Sequence, residues 1–142
     1  MQKKKNSGFT LLELLIALAI LAIIAAIIIP NFFATTDRAR LRSDIASARV
    51  IQNAMELYHA ERGENLRDLG ITEILNRLNA ADFVDVDIDD TQSEGATWDW
   101  CSVENHVVVD IRLSPAGVRS AFESLPTAEQ AFVRTGAAGV PD

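Results

Sequence analysis

One cysteine, Cys101, is all the chain has, so no intrachain disulfide can form. Charge is absent from Leu14 to Ile29, a run of sixteen uncharged, apolar residues. Glycine and proline are absent from Asp37 to Glu61, which leaves nothing there to break a helix. Clustered Lys and Arg are lacking in the body of the chain. The lysines Lys3 to Lys5 sit at the N-terminal end, and without residues 1–8 the formal charge moves from −7 to −7 − 3 = −10. That balance argues against nucleic acid as a partner. No internal repeat or low-complexity segment appears, and 142 residues leave room for one domain. The mean hydropathy of +0.12 comes largely from the apolar run, so the remainder reads as an ordinary acidic domain.

What is present is concentrated at the N-terminus. Lys3-Lys4-Lys5-Asn6-Ser7-Gly8 precedes Phe9-Thr10-Leu11-Leu12-Glu13, the apolar run and Pro30. With Phe9–Leu12 added, the apolar segment spans residues 9–29, enough to cross a bilayer at roughly 20 residues. A carboxylate at the edge of such a segment costs roughly 2.5–3.5 kcal/mol and asks for a partner. Cleavage between Gly8 and Phe9 would supply one, the new α-amine of Phe9, four residues from Glu13. An ordinary secretory signal or signal anchor shares the basic and apolar regions but has no use for Glu13, and its leader would continue straight into its apolar core. Lys3 to Lys5 favour a cytoplasmic N-terminus, lying closer to the apolar segment than Arg38, Arg40, Arg42 and Arg49 beyond its other end.

These residues resemble the type IV pilin superfamily, which includes type IV pilins, type II secretion pseudopilins and competence pilins. The resemblance implies a leader of residues 1–8, cut after Gly8 by a prepilin peptidase that methylates Phe9, and a transmembrane helix over residues 9–29. It also implies a subunit inserted in the inner membrane, with its C-terminal domain extracytoplasmic. Polymerisation into a periplasmic or cell-surface filament would follow, with copies of itself and minor pilins or pseudopilins, on an inner-membrane assembly platform. Glu13 and Phe9 would be the assembly residues, and Glu13 favours a filament-body subunit. Pro30 would kink the helix by clashing with the carbonyl of Ala26. The lone cysteine departs from pilins that close a C-terminal loop with a cysteine pair. The Tyr-Pro-Thr segment of major pseudopilins is replaced by Glu64-Asn65-Leu66-Arg67.

Beyond the anchor, apolar residues recur at Leu41, Ile45, Ala48, Ile51, Met55 and Tyr58, in steps of four and three. Val50, Ala54 and Leu57 widen the arc, while Arg38, Arg42, Arg49, Asn53 and Glu56 share the opposite strip. An amphipathic continuation over residues 30–62 is therefore expected, ending at Gly63. Residues 63–142 read as a globular domain. It should hold a short helix with Thr72 as N-cap and Ile74, Leu75 and Leu78 apolar, then an alternating strand from Phe83 to Ile88. Strands Thr97–Val103 and His106–Leu113 should follow around a Glu104-Asn105 turn, with Val107, Val109, Ile111 and Leu113 on one buried face. Ser114-Pro115 should open a helix with Val118, Ala121, Phe122 and Leu125 inward, and a final helical stretch should run from Thr127 to Arg134. The expected fold is α+β, a long helix on a small antiparallel sheet.

Catalysis finds little material. Cys101 and His106 flank the expected hairpin and His59 lies elsewhere, but a cysteine–histidine dyad also needs an oxyanion site and a cleft. A buried apolar thiol and a surface histidine is the reading, with no catalytic residues, and no enzyme is expected. Asp85, Asp87, Asp89 and Asp90 invite calcium, since hard cations take carboxylate oxygens. Their spacing lacks the glycine and terminal glutamate of a helix–loop–helix calcium loop, so no metal or cofactor is expected. The function expected is a structural subunit of a type IV pilus or type II secretion pseudopilus. A plain membrane-anchored extracytoplasmic binding module, not polymerised, is the alternative and requires no cut at Gly8.

Overall fold

The computed structural model describes residues 9–85, 88, 90–101 and 105–136. The chain divides into two compact units, Met1–Phe33 and Ala34–Asp142.

The first unit holds the N-terminal part of helix α1, Leu11–Arg62. No described side chain of this unit is buried. Its apolar window has a mean hydropathy of 3.1, so by length and composition the helix can cross a membrane. Helical backbone continues through residue 30, and no melted stretch interrupts α1 at the proline.

The second unit is built on the remainder of α1. Leu41, Ile45, Ala48, Ile51, Met55 and Tyr58 are all buried, as the spacing of four and three requires. Ala54 is buried beside them, whereas Val50 and Leu57 stay half-exposed on the other flank. The helix stops where expected: Gly63 takes φ +70, in the left-handed region that favours glycine, and its N–H donates to the carbonyl of His59 at 2.9 Å. Helix α2 spans Ile71–Ala80 and buries Ile74, Leu75 and Leu78. Strands β1 (Thr97–Cys101) and β2 (His106–Asp110) pair antiparallel. Helix α3 (Ala116–Glu123) buries Val118 and Ala121, and α4 (Thr127–Gln130) follows. Strand β3 (Val133–Arg134) then pairs parallel with β2, giving the order β1-β2-β3.

The α+β class stands, but the sheet is mixed rather than antiparallel. Phe83, Val84 and Asp85 form no strand; Asp82 has φ 64, and the N–H of Phe83 returns to the carbonyl of Leu78. Val86 and Asp87 lie outside the described residues. Val84 is buried, and both Phe83 and Ile88 are partly buried against the core, so the segment packs without the one-sided alternation of a strand. The third strand is instead β3, within the stretch expected to be helical. Two residues are too few to carry a readable alternation.

Other local expectations shift for similar reasons. Gly70, not Thr72, stands at the N-cap of α2. The register sets Cys101 opposite His106, so four residues, 102–105, connect the strands rather than a two-residue turn, and Glu104 lies outside the described residues. Strand β2 ends at Asp110, and a turn follows in which the N–H of Ser114 donates to the carbonyl of Ile111 at 3.0 Å. Leu113 therefore leaves the period-two pattern and is 89% exposed, while Val107, Val109 and Ile111 are buried. Val108 is buried as well, because β2 is the central strand.

Polar contacts bind the domain to α1. Asp44, buried at 1% exposure, accepts the N–H groups of Gln92 at 2.6 Å and Ser93 at 2.9 Å. A carboxylate paired in this way avoids the penalty of an unpartnered buried charge. Arg42 meets Glu129 at 3.1 Å, and the Arg49 guanidinium lies 4.7 Å from the centre of the Phe132 ring. The strip expected to be merely polar thus holds the C-terminal segment.

Across the sheet, Arg112 chelates Asp110 and Arg134 reaches Asp99. Burial alone raises the carboxyl pKa of Asp110, but its hydrogen bonds from Arg112 outweigh that and lower it below the ordinary 3.8. A depressed folded-state pKa contributes stability that is complete above the unfolded value and is lost as pH falls through the folded one. Asp110→Asn should therefore lower the thermal midpoint at pH 7, with a narrower gap to the parent at a pH below the ordinary 3.8. Equal gaps at both pH values would remove this account. A chain beginning at Ala34 should melt cooperatively. One beginning at Ala60 forfeits the seven buried apolar side chains of α1, each large one worth roughly 1.5–3 kcal/mol against a total of about 5–15, and should show no cooperative melt.

Candidate functional site

At the start of α1 the sequence sets a side-chain oxygen and a carboxylate three residues apart. Thr10 is the residue before the helix, and its carbonyl accepts the N–H of Leu14 at 3.2 Å. Its Oγ1 accepts the N–H of Glu13 at 3.2 Å. Glu13 returns the contact: its Oε2 accepts the Thr10 N–H and the Thr10 hydroxyl, both at 2.9 Å. This reciprocal pair is a capping box, and it occupies two of the backbone N–H groups that a helix start leaves without internal partners. The Thr-x-x-Glu spacing is the sequence signal for this cap, a role Glu13 holds beside its charge. All of these bonds use Oε2, which leaves Oε1 open to a further donor.

Phe9 is 81% exposed, and Gly8 lies outside the described residues. Leu11 to Ile29 presents large apolar side chains on every side. Exposed hydrocarbon on that scale is stable only against lipid or another apolar surface.

The remaining candidates belong to the Ala34–Asp142 unit. Cys101 and His106 are paired across β1 and β2, but the thiol is buried at 4% exposure. The His106 ring stacks edge-on to Phe132, and its Nε2 lies 3.1 Å from the carbonyl oxygen of Ala131. His59 sits at the far end of α1, with Nδ1 3.1 Å from the carbonyl oxygen of Glu64. Of the four aspartates considered for calcium, Asp87 and Asp89 lie outside the described residues; among the described residues no three His, Cys, Asp or Glu side chains gather closely enough to hold a metal. Trp98 is buried and donates its Nε1–H to the carbonyl of Ile88 at 2.9 Å. Glu64, in the segment that replaces Tyr-Pro-Thr, accepts from the Tyr58 hydroxyl and from Arg77, both at 3.0 Å.

The family model for the prokaryotic N-terminal methylation motif matches residues 3–29. The chain is 29% identical over 82 residues to type II secretion system core protein G of Aeromonas hydrophila, covering 57% of each chain. It is 40% identical over 60 residues to prepilin peptidase-dependent protein A of Clostridium perfringens, covering 42% of this chain and 43% of that one. It is 36% identical over 58 residues to the type IV major pilin protein PilA of Myxococcus xanthus, covering 41% and 26%. Over these stretches the chain is similar to type IV pilins and type II secretion pseudopilins. The chain spans about half the length of the first curated relatives it matches. No solved structure matches the chain.

For this pilin-like N-terminus the capping box makes a specific claim. Thr10→Ala removes the acceptor for the Glu13 N–H and a donor to its carboxylate, at about 1 kcal/mol. Amide exchange at Glu13 in detergent micelles should then speed up about fivefold, while Thr10→Ser should restore the parent rate. Unchanged exchange in Thr10→Ala would mean that the cap contributes nothing.

Proposed function

We propose that this chain is a structural subunit of a type IV pilus or type II secretion pseudopilus, with no enzymatic activity of its own. A prepilin peptidase cuts between Gly8 and Phe9 and methylates the Phe9 amine. Residues 9–29 hold the subunit in the inner membrane, with the leader cytoplasmic and the Ala34–Asp142 unit on the other side. Subunits then assemble, with related minor pilins or pseudopilins and on an inner-membrane platform, into a helical filament. Pro30 bends the helix near the bilayer surface.

One observation carries this reading: a single carboxylate, Glu13, stands at the head of an apolar helix and keeps one oxygen unengaged by its own cap. In lipid such a group costs roughly 2.5–3.5 kcal/mol without a partner. The Phe9 amine of a neighbouring subunit, equally costly alone, is a partner of opposite charge that exists only after cleavage. Pairing between copies repeats without closing, so it grows a filament rather than a dimer.

Mass spectrometry of membrane-extracted protein should find N-methylated Phe9 as the N-terminus. Intact Met1 on assembled protein would contradict the reading. Glu13→Leu should insert normally, yet yield roughly tenfold fewer filaments by electron microscopy, because the amine is left unpaired. Normal filaments from that variant would remove the pairing argument.

A further inference from the structure

Two guanidinium groups at the start of the Ala34–Asp142 unit stand apart from its packing. Arg38 and Arg40 are exposed, and among the described residues neither meets a carboxylate. The next two arginines of α1 are engaged, Arg42 by Glu129 and Arg49 by the Phe132 ring. Asp37, beside Arg38, faces α3 instead: a methyl on Gly117 would come within 2.5 Å of its Oδ2.

The charge of the unit is unevenly divided. Residues 34–49 hold four arginines and two aspartates, 4 − 2 = +2, and one of those aspartates is the buried Asp44. Residues 50–142 hold six arginines and seventeen acids, 6 − 17 = −11. An anionic surface would therefore repel most of the unit and attract the turns of α1 that follow the apolar segment.

Position says which anionic surface that is. Arg38 and Arg40 follow Phe33, an exposed aromatic, by five and seven residues, roughly 8–10 Å of helix at 1.5 Å per residue. The headgroup layer on each side of a bilayer is roughly 5–8 Å thick. Side chains on an α-helix lean toward its N-terminus, which here is toward the apolar segment, and arginine has the length to snorkel further. Both guanidinium groups thus reach headgroup level. Two residues apart, they lie about 200° apart around the helix, so each meets a separate lipid. The exposed acids Asp90 and Glu94 flank the loop that Asp44 holds, and Asp44 is one turn beyond Arg40.

We propose that Arg38 and Arg40 bind the headgroup phosphates of anionic phospholipids, docking the start of the Ala34–Asp142 unit on the bilayer. A guanidinium offers paired N–H donors that match a phosphate, and this stretch of α1 continues directly from the membrane-length apolar run. The inference rests on the membrane-anchor part of the reading above.

The test uses the full chain with Cys101→Ala and a nitroxide on Ser43→Cys, an exposed position three residues from Arg40. One copy is placed in each lipid nanodisc, in phosphatidylcholine alone or in an even mixture with phosphatidylglycerol. Each arginine near an anionic surface favours contact about fivefold, so the ratio of immobilised to mobile label should be about thirtyfold higher in the mixed disc. Arg38→Gln with Arg40→Gln, or high salt, should abolish the rise, and Arg38→Lys with Arg40→Lys should keep most of it. Equal mobility in both discs, or an undiminished rise in the glutamine variant, would overturn the docking. A rise seen only with several copies per disc would assign the arginines to a second copy, and so overturn it too. A nitroxide on Ala19→Cys separates this inference from the reading beneath it. If that label is shielded from aqueous collision reagents while the Ser43 label fails to respond, the docking falls and the anchor stands. An Ala19 label open to those reagents would overturn the anchor itself.

Discussion

An α-helix satisfies its interior backbone hydrogen bonds from within, so one helix can serve lipid and water in turn without changing its backbone. Everything in this protein depends on that property of α1. Over Leu14–Ile29 its side chains are apolar on every side, and the large ones are exposed. From Ala34 onward only one face is apolar, and that face is the wall on which the domain is built. The change from all-round to one-sided apolarity is written into side chains alone.

The domain needs that wall. Its strands have five, five and two residues, and a sheet so small buries too little of itself to stand without a helix against it. Ile51 and Ala48 of α1 share one cluster with Val107, Val109 and Ile111 of the central sheet segment, and with Val118 of α3. Apolar packing is non-directional, so it leaves the rotational and axial setting of the helix loosely specified. Directional contacts supply the setting: Asp44 on the backbone of Gln92 and Ser93, Arg42 on Glu129, and Gln52 Oε1 receiving the Val107 N–H at 3.3 Å. These contacts reach three different segments from three positions along one helix.

The N-terminal segment joins two requirements in one residue. Glu13 caps its own helix through Oε2, which is a local matter of helix ends, and it carries a charge that an apolar segment cannot hold alone. Because the cap uses one oxygen, the two roles do not compete. A glutamine could take part in such a box but would bring no charge, which is why the residue type and the spacing must be read together.

What the sequence determined by itself were the features set by neighbours along the chain. The length of α1, its stop at Gly63, its buried face from Leu41 to Tyr58, its apolar first part, and the helices after Gly70 and Pro115 all follow from short-range periodicity, glycine conformation and hydropathy. The Thr10–Glu13 box was equally local and equally legible. Only the tertiary structure decided the third strand, since Val133–Arg134 is a strand solely because β2 offers it a parallel edge. It also decided that Asp44, mid-helix and charged, would be buried, because the partners that satisfy it are 48 and 49 residues away. Leu113 left the pattern of its strand for the same kind of reason: Arg112 folded back on Asp110 and turned the backbone where alternation would have run on. Periodicity records which face a regular element buries, but backbone groups find partners by proximity in space, and that is settled only once the chain has packed.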